Sequence, residues 1–356
     1  INAQKNIQLR QLKLAKNFLI VLHVAPFKIV ISSQKQSKRT IYCILPVCIS
    51  TELLAHERHN DMSACPAICI FTPTYNRAYC LDNLFNSLCD QTTLNFEWLI
   101  VDDGSTDNTK KVVENYQSVS QFPIRYIKQA NGGKQRAFNT GVQSCDCELF
   151  MCVDSDDTVP HDMIETVLAK WATVRDDSSI AGMIGMCGKD ESTPLKTAIP
   201  NTLATTTMYD LYNKHHHKGD TAHIHRTAIL KQFPFDVAPG EKFIGETYVF
   251  LQIDQRYTLA VIPKVLIVRE YLEDGYTANV RKITRENPIG YMKLKRMYIE
   301  YADTWYVRFY ETVLYLVGCH FAKQKRSIIG SPYPILAAAA WLPAQLLCHT
   351  IYAKKS

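Results

Sequence analysis

The chain has 356 residues, of which 47% are hydrophobic and 21% are charged, as expected for a globular protein of one or two domains. Its net charge of +6 is unevenly distributed: residues 1–61 carry +6, residues 62–280 carry −8 and residues 281–356 carry +8. The acidic central part argues against a nucleic-acid-binding protein, which would present a basic face. The twelve cysteines do not form paired zinc-knuckle motifs, so we expect reduced thiols in a cytoplasmic protein.

Residues 1–61 do not share the pattern of the rest of the chain. Their two apolar stretches, at residues 18–24 and 41–49, are too short to span a bilayer. The order of charged and apolar residues is not that of a signal peptide. Met62 comes directly before a strong strand pattern, so we expect the natural protein to start there and the preceding residues to be a non-native or disordered leader. A cationic, membrane-associated leader is the alternative.

Beyond Met62, apolar runs alternate with segments of helical spacing. The predicted strands are Ala67–Phe71, Phe96–Val101, Ile124–Ile127, Glu148–Val153 and, further along, Leu259–Val268. The predicted helices between the first four strands are Tyr79–Cys89, Asp107–Tyr116 and Lys134–Val142. Strands separated by single helices form βαβ units. The sequence therefore predicts an α/β fold with a Rossmann-like, mainly parallel sheet flanked by helices.

Polar clusters follow three of the first four strands, at the sheet edge where α/β folds bind ligands. The clusters are Thr72–Arg77, Asp102–Thr106 and Asp154–Asp157. Asp154 and Asp156 are two residues apart, so they point the same way in an extended chain. Two such carboxylates can share one hard divalent cation with the phosphate oxygens of a ligand. The alternative is that Asp157 caps the next helix and the other two carboxylates are solvated.

Taken together, these clusters resemble the motifs of the family 2 glycosyltransferases, which have the GT-A fold. The matching segments are FTPTYNR at Phe71–Arg77, VDDGSTDNT at Val101–Thr109, ANGGKQRAFNTG at Ala130–Gly141 and VDSDD at Val153–Asp157. The resemblance is specific over residues 66–175 and looser as far as residue 280. It implies a GT-A domain at residues 62–280 that transfers a sugar from a nucleotide-sugar, with a UDP-sugar expected. The implied acceptor is a polysaccharide or a lipid-linked glycan, as in bacterial polysaccharide biosynthesis.

The resemblance implies which residues bind the donor. The expected set is Thr72, Thr74, Tyr75, Arg77, Asp102, Asp103, Lys134, Arg136 and Asp154. The ring of Tyr75 can stack on the base, and Asp102 or Asp103 can accept a hydrogen bond from a base N–H. Lys134 and Arg136 follow a glycine pair at a helix start, where a basic side chain and free N–H groups suit phosphate.

The resemblance also implies a metal ligand and a catalytic base. Asp154 would contact the ribose, and Asp156 would hold Mn²⁺ or Mg²⁺ against the diphosphate. An inverting transferase needs a carboxylate base for the acceptor hydroxyl. Glu246 is the first choice for this base and Glu241 is the second. Asp220 can contact the acceptor or the donor sugar, although a turn before a strand explains it equally well.

Two other functions remain open from the sequence. A nucleotidyltransferase would use the same α/β phosphate chemistry, but it would show a glycine- and arginine-rich loop in place of Thr72–Arg77. A non-catalytic sugar-nucleotide binding module is the other, and the acidic residues Asp154, Asp156 and Glu246 argue against it.

The basic C-terminal part, residues 281–356, is predicted to be helical. Its segment Tyr333–Tyr352 is mostly apolar, has basic flanks and is interrupted by Pro343. A helix lying in an anionic membrane surface would explain these features. This arrangement would place a cytoplasmic enzyme at the inner face of the cell membrane, beside a lipid-linked acceptor. A hairpin packed on the catalytic domain is the alternative.

Two other segments carry predictions of their own. Five histidines, at His215, His216, His217, His223 and His225, are expected to lie in a solvated polar loop, because they have no local carboxylate or cysteine partners at metal-ligand spacing. Asp274–Tyr276 is expected to close over the site as a flexible lid.

Overall fold

The computed structural model describes residues 66–269 and 280–352. The predictions for the leader at residues 1–61, for a start at Met62 and for a lid at Asp274–Tyr276 lie outside these ranges. Strands occur in the first described range, and helices occur in both.

Within the described residues, eight strands form one sheet. In chain order they are β1 (Ile68–Thr74), β2 (Phe96–Asp102), β3 (Ile124–Lys128), β4 (Leu149–Cys152), β5 (Ile180–Gly188), β6 (Thr205–Thr206), β7 (Thr221–Arg226) and β8 (Thr258–Val268). Their order across the sheet is β3-β2-β1-β4-β7-β5-β8-β6. The first four strands are parallel to one another, and β5 is parallel to β8, whereas β7 and β6 are antiparallel to the strands they pair with.

Helices connect most of the strands and form the C-terminal part. They are α1 (Leu81–Cys89), α2 (Thr109–Val119), α3 (Lys134–Ser144), α4 (Met163–Val174), α5 (Met208–Asn213), α6 (Thr227–Leu230), α7 (Thr247–Asp254), α8 (Val280–Glu286), α9 (Pro288–Tyr301), α10 (Trp305–Phe321) and α11 (Pro334–Thr350). The prediction of a mainly parallel α/β sheet flanked by helices, with a helical C-terminal extension, is confirmed.

Two hydrophobic cores cover the two faces of the sheet. Side chains alternate along a strand, so Ile68 and Ile70 enter one core while Cys69 and Phe71 enter the other. Helices α1, α2 and α4 pack in the first core, and α3, α5 and α7 pack in the second. Because both faces are covered, the central strands β1 and β2 are buried along their length and read as mostly apolar runs.

The C-terminal helices pack on the sheet domain and on one another. Helix α9 contributes Leu294 to the second core. Helix α11 packs against α10 with the small side chains of Ala337, Ala340 and Ala344, and it continues through Pro343. No helix in the described ranges is both long enough and apolar enough to cross a membrane.

The site predicted from the sequence lies where the parallel strands end. Thr74 at the end of β1 pairs with Asp102 at the end of β2, and Phe71 of β1 pairs with Cys152, the last residue of β4. β1 lies between β2 and β4, which is the switch in strand order where open α/β sheets form a ligand crevice. The fold therefore brings the three polar clusters of the sequence to one edge of the sheet.

Candidate active site

A glycine loop places Lys134 at the edge of the sheet. The N–H groups of Gly132 and Gly133 donate to the Asp103 carboxylate over 2.9 and 2.7 Å. Gly133 has a φ of +95°, and a Cβ at this position would lie 1.9 Å from the carbonyl oxygen of Lys242. Glycine is therefore required here. Helix α3 begins at the next residue, as predicted, but these two N–H groups are bound to Asp103.

The Lys134 ammonium lies between two carboxylates that the sequence assigns to different tasks. Its Nζ is 2.6 Å from Asp154 and 2.6 Å from Glu246. Burial alone would lower the pKa of Lys134, but the two carboxylates hold it well above its usual value. Glu246 comes directly before α7, where the positive end of the helix favours a carboxylate. The structure thus joins the ends of β4, α3 and α7 in one ion-paired cluster.

Arg269 is a member of this cluster that the sequence analysis missed. It follows β8, and its guanidinium is 3.3 Å from Asp154, 3.3 Å from Asp157 and 3.6 Å from Asp220. Although burial would raise the pKa of Asp154, Lys134 and Arg269 lower it to about 2. The predicted capping role of Asp157 is wrong, because this side chain is buried against Arg269 and the helix cap position is occupied by Asp162.

Asp156 differs from its neighbours because it is only partly buried. Burial and the negative charge of Asp154 raise its pKa, while Arg77 and Lys134 oppose the shift. A carboxylate held beside a second carboxylate is a suitable ligand for a hard divalent cation. Asp220 is half-exposed at the start of β7, which is antiparallel and so begins at the same edge of the sheet. The predicted residues Lys134, Asp154 and Glu246 therefore meet directly, and Asp220 joins them through Arg269.

A partly open pocket extends from this cluster into the sheet domain. It is lined by Lys134, Phe138, Phe150, Cys152, Asp154, Thr221, Ala222, His223, His225, Leu230, Glu246, Phe250, Ile267 and Arg269. The lining combines the charged residues of the cluster with apolar and aromatic side chains. Such a combination is typical of small-molecule sites.

The prediction of a solvated loop is wrong for three of the five histidines. His223 and His225 lie in β7, and His217 is buried in the preceding loop, where His215 and His216 are exposed. The His223 ring stacks on Phe250 at a centroid distance of 4.1 Å, and the His225 ring stacks on Phe250 at 5.2 Å. Burial lowers the pKa of His225 to about 3 and that of His223 well below its usual value. Both imidazoles are thus neutral in the folded protein near neutral pH.

We expect these two histidines to make the fold sensitive to acid. In the unfolded chain each would gain a proton below about pH 6.5, whereas the folded state keeps it neutral. Stability is therefore complete above this pH and falls as the pH drops, by about 2 kcal/mol per histidine between pH 7 and 5. Urea unfolding at both pH values should show that His225→Leu loses about half of this contribution. His161→Gln, which changes an exposed histidine, should behave as the unmodified protein does.

The residues predicted to bind the base and ribose lie around β1. The Tyr75 ring is 47% exposed and is available for stacking. Arg77 is hydrogen-bonded to the hydroxyl of Tyr79. Thr72 is fully buried and its hydroxyl accepts from the Trp98 indole N–H over 2.9 Å. Thr74 is also buried, and its hydroxyl lacks a hydrogen-bond partner among the described residues. Tyr75 and Arg77 are therefore the more accessible of the four.

The two aspartates at the end of β2 serve the local structure. Asp102 is fully buried and accepts from the Ser105 N–H over 2.7 Å and from the Tyr126 hydroxyl. Asp103 holds the glycine loop and also accepts from the Gln129 amide over 2.7 Å. Their assignment to the base N–H stays a prediction.

Arg136 and Glu241 hold the loop that precedes α7. The Arg136 guanidinium donates to the carbonyl oxygen of Glu241 over 2.7 Å and to that of Ala238 over 3.1 Å. The Glu241 carboxylate accepts from the N–H groups of Ile289 and Gly290 at the start of α9, each over 2.7 Å. Both side chains are thus engaged in fixing this loop, and Glu246 is the acidic residue of the loop that faces Lys134.

Comparison with known proteins agrees with this geometry. The family described as Glycosyl transferase family 2 matches residues 69–233. The match spans the strands, helices and glycine loop that form one side of the site. Residues 69–233 belong to glycosyl transferase family 2. The resemblance seen in the sequence motifs is thereby confirmed, while Glu246 and Arg269 lie beyond the matched segment.

Several relatives share parts of this domain. An uncharacterized glycosyltransferase of Nostoc, alr2836, is 39% identical over 95 residues, which cover 26% of this chain and 30% of that protein. The poly(ribitol-phosphate) beta-N-acetylglucosaminyltransferase TarS of Staphylococcus aureus strain Mu50 is 28% identical over 189 residues, which cover 48% of this chain and 30% of TarS. The chain thus spans less than a third of either relative.

The fold also resembles a solved glycosyltransferase structure. The crystal structure of Staphylococcus aureus TarS superposes with a TM-score of 0.51 at 19% sequence identity. The superposition covers 78% of this chain and 53% of TarS, so it includes most of the described residues. It supports the assignment of the GT-A fold.

Proposed function

We propose that this protein is a metal-dependent, inverting glycosyltransferase that moves a sugar from a UDP-sugar to a hydroxyl group of a glycan or lipid-linked acceptor. The observation that carries the proposal is the position of Lys134, 2.6 Å from both Asp154 and Glu246, at the switch in strand order. A cation for the diphosphate and a carboxylate for the acceptor thus lie together, and family membership alone would not supply that geometry.

The residues present fit a divalent metal ion. Asp156 is a partly buried carboxylate whose pKa is raised by burial and by Asp154, so a cation beside it would relieve the repulsion. Asp156 would hold Mn²⁺ or Mg²⁺, both of which bind carboxylate oxygens. When bound, the ion supplies Lewis-acid stabilisation of the leaving diphosphate.

Donor binding and proton transfer are assigned to separate side chains. Tyr75 would stack on the base of the donor, and Lys134 would bind the diphosphate as its negative charge grows. Glu246 would accept the proton of the acceptor hydroxyl while the new bond forms between the acceptor oxygen and the anomeric carbon. The bond from that carbon to the diphosphate oxygen breaks on the opposite side, which inverts the configuration.

A screen of nucleotide-sugars tests this function directly. We expect hydrolysis or transfer with a UDP-sugar when Mn²⁺ or Mg²⁺ is present, and little with GDP- or CMP-sugars. UDP-N-acetylglucosamine is the first candidate, because TarS is named as a beta-N-acetylglucosaminyltransferase. Release of diphosphate from a nucleoside triphosphate and a sugar phosphate would instead indicate a nucleotidyltransferase. Donor binding without any turnover would indicate a non-catalytic module.

The location of the enzyme is a separate part of the proposal. Helix α11 has an exposed apolar face with Ile335, Leu342 and Leu346, which are 90%, 70% and 64% exposed. These positions lie on one side of a helix. The connection between α10 and α11 exposes the basic residues Lys323 and Lys325. We infer that α11 lies on an anionic membrane surface, where each nearby basic residue is worth about 1 kcal/mol.

A sedimentation experiment with vesicles checks this location. We expect the protein to co-sediment with anionic vesicles at low salt and to be released by high salt. Leu342→Glu combined with Leu346→Glu should abolish this binding, because both side chains are exposed and their loss leaves the core intact. Val119→Glu is the matched control, since Val119 is 69% exposed on α2. Equal binding by both variants would indicate that α11 is part of a hairpin packed on the catalytic domain and does not bind the membrane.

A further inference from the structure

A second group of metal-ligating side chains lies at the opposite end of the strands from the candidate active site. Cys69 near the start of β1 is directly paired with Glu97 near the start of β2. Cys145, just after α3, reaches the same place. The two sulfur atoms and a carboxylate oxygen all lie within 4.8 Å of one another. An ion with bond lengths of about 2.0–2.3 Å would draw these three groups together as its ligands.

Cys147 adds a third thiol to this group. Its side chain shares a hydrogen bond with the Cys145 thiol, and both residues lie in the short turn between α3 and β4. Cys69 and Cys145 are fully buried, and Cys147 is 2% exposed. Cys69, Glu97 and Cys145 therefore meet at one buried point, and the Cys147 thiol beside Cys145 would supply the fourth ligand of a tetrahedral site.

Contacts around the group hold Glu97 and the turn that carries the thiols in place. Glu97 is 6% exposed, and its carboxylate is 3.2 Å from Arg125, whose side chain is 40% exposed. Thiols that bind an ion become thiolates, so a bound ion and Arg125 together would balance the negative charge of the group. Arg125 and Lys231 also donate to the carbonyl oxygens of Ser144 and Cys145, each over 2.8 Å. These contacts fix the backbone that carries the thiols, as outer contacts of metal sites do.

We propose that Cys69, Glu97, Cys145 and Cys147 form a structural zinc site. Sulfur ligands select Zn²⁺ over Mg²⁺ or Mn²⁺, which prefer oxygen, so this site and the one at Asp156 take different ions. Each thiol loses its proton to solvent as its sulfur binds the ion. The ion ties the turn before β4 to β1 and β2, and its four protein ligands exclude a catalytic role because no position is open.

The spacing of the cysteines in the sequence does not indicate this site, and the reason is physical. Zinc motifs are recognised by ligands that are close in sequence. Here Cys145 and Cys147 are local, but Cys69 and Glu97 come from two other strands. The register between β1 and β2 brings Cys69 and Glu97 together, and the turn after α3 brings Cys145 to them.

Metal analysis of the full chain tests the proposal. Protein produced with added zinc and dialysed against a chelator, which removes loosely bound surface ions, should retain about one zinc ion per chain. Cys145→Ala and Cys69→Ala should retain about tenfold less. Cys319→Ala is the matched control, because Cys319 is equally buried in α10, and it should retain the zinc. Asp156→Ala should also retain it, which separates this site from the candidate active site.

A measurement without substitutions covers the case in which the variants fail to fold. The protein, refolded with Co²⁺ as the only metal, should show the thiolate-to-cobalt charge-transfer absorption in the near ultraviolet. The proposal is overturned if the dialysed protein holds no stoichiometric zinc and the refolded protein lacks this absorption. Equal zinc content in Cys145→Ala and Cys319→Ala would overturn it as well. Neither outcome depends on glycosyltransferase activity.

Discussion

Glu246→Gln is expected to lower turnover by about 10²–10⁴-fold, the usual contribution of a well-placed proton acceptor. The change is nearly isosteric, and the amide oxygen can still accept from Lys134, so the donor should bind with near-normal affinity. Steady-state kinetics with a UDP-sugar, together with calorimetric titration of the donor, would measure both effects.

Glu241→Gln is the matched control for this experiment. The Glu241 carboxylate accepts two N–H groups at the start of α9, so its replacement should cost about 1–3 kcal/mol of stability and leave turnover of the folded enzyme largely intact. A fully active Glu246→Gln enzyme beside an inactive, well-folded Glu241→Gln enzyme would show that the base has been assigned to the wrong residue.

Asp156→Ala is expected to abolish transfer and to weaken donor binding only when Mn²⁺ or Mg²⁺ is present. The reason is that the carboxylate would link the protein to the ion and, through it, to the diphosphate. Calorimetric titration of the donor with and without metal measures this directly. Asp176→Ala, which removes an exposed carboxylate after α4, should bind donor as the unmodified protein does. Equal donor affinity with and without metal in the unmodified protein would rule out this role for Asp156.

The first half of the sheet could be predicted because the residues that indicate each strand are adjacent in the sequence. β1, β2 and β4 are mostly apolar runs that are almost wholly buried, and each is followed by residues that end a strand. The rule that parallel strands present their carboxyl ends at one edge then placed Thr74, Asp102 and Asp154 together. No knowledge of distant contacts was needed for this part of the site.

The remaining features depend on contacts between distant parts of the chain. Arg269 stands alone at the end of β8, and it reaches Asp154 and Asp157 through the pairing of β8 with β5 and through the bridge between Val268 and Thr158. The misplacement of His223 and His225 has a similar origin. Their segment is polar in sequence, but β7 is inserted between β4 and β5, so both rings become buried against Phe250.

The loop that bears Glu246 is held by hydrogen bonds from two sides. These contacts set a lower limit on the length of an active fragment. Arg136 holds the loop from α3, while α9 holds it through the Glu241 carboxylate and through Asn287, which accepts from the Lys242 N–H over 2.8 Å. A protein cut at residue 280, the predicted domain end, would leave Glu241 without either donor. The shortest fragment that keeps Glu246, the proposed base, in this position must therefore extend through α9, some twenty residues into the part of the chain that its charge alone would set apart as a tail.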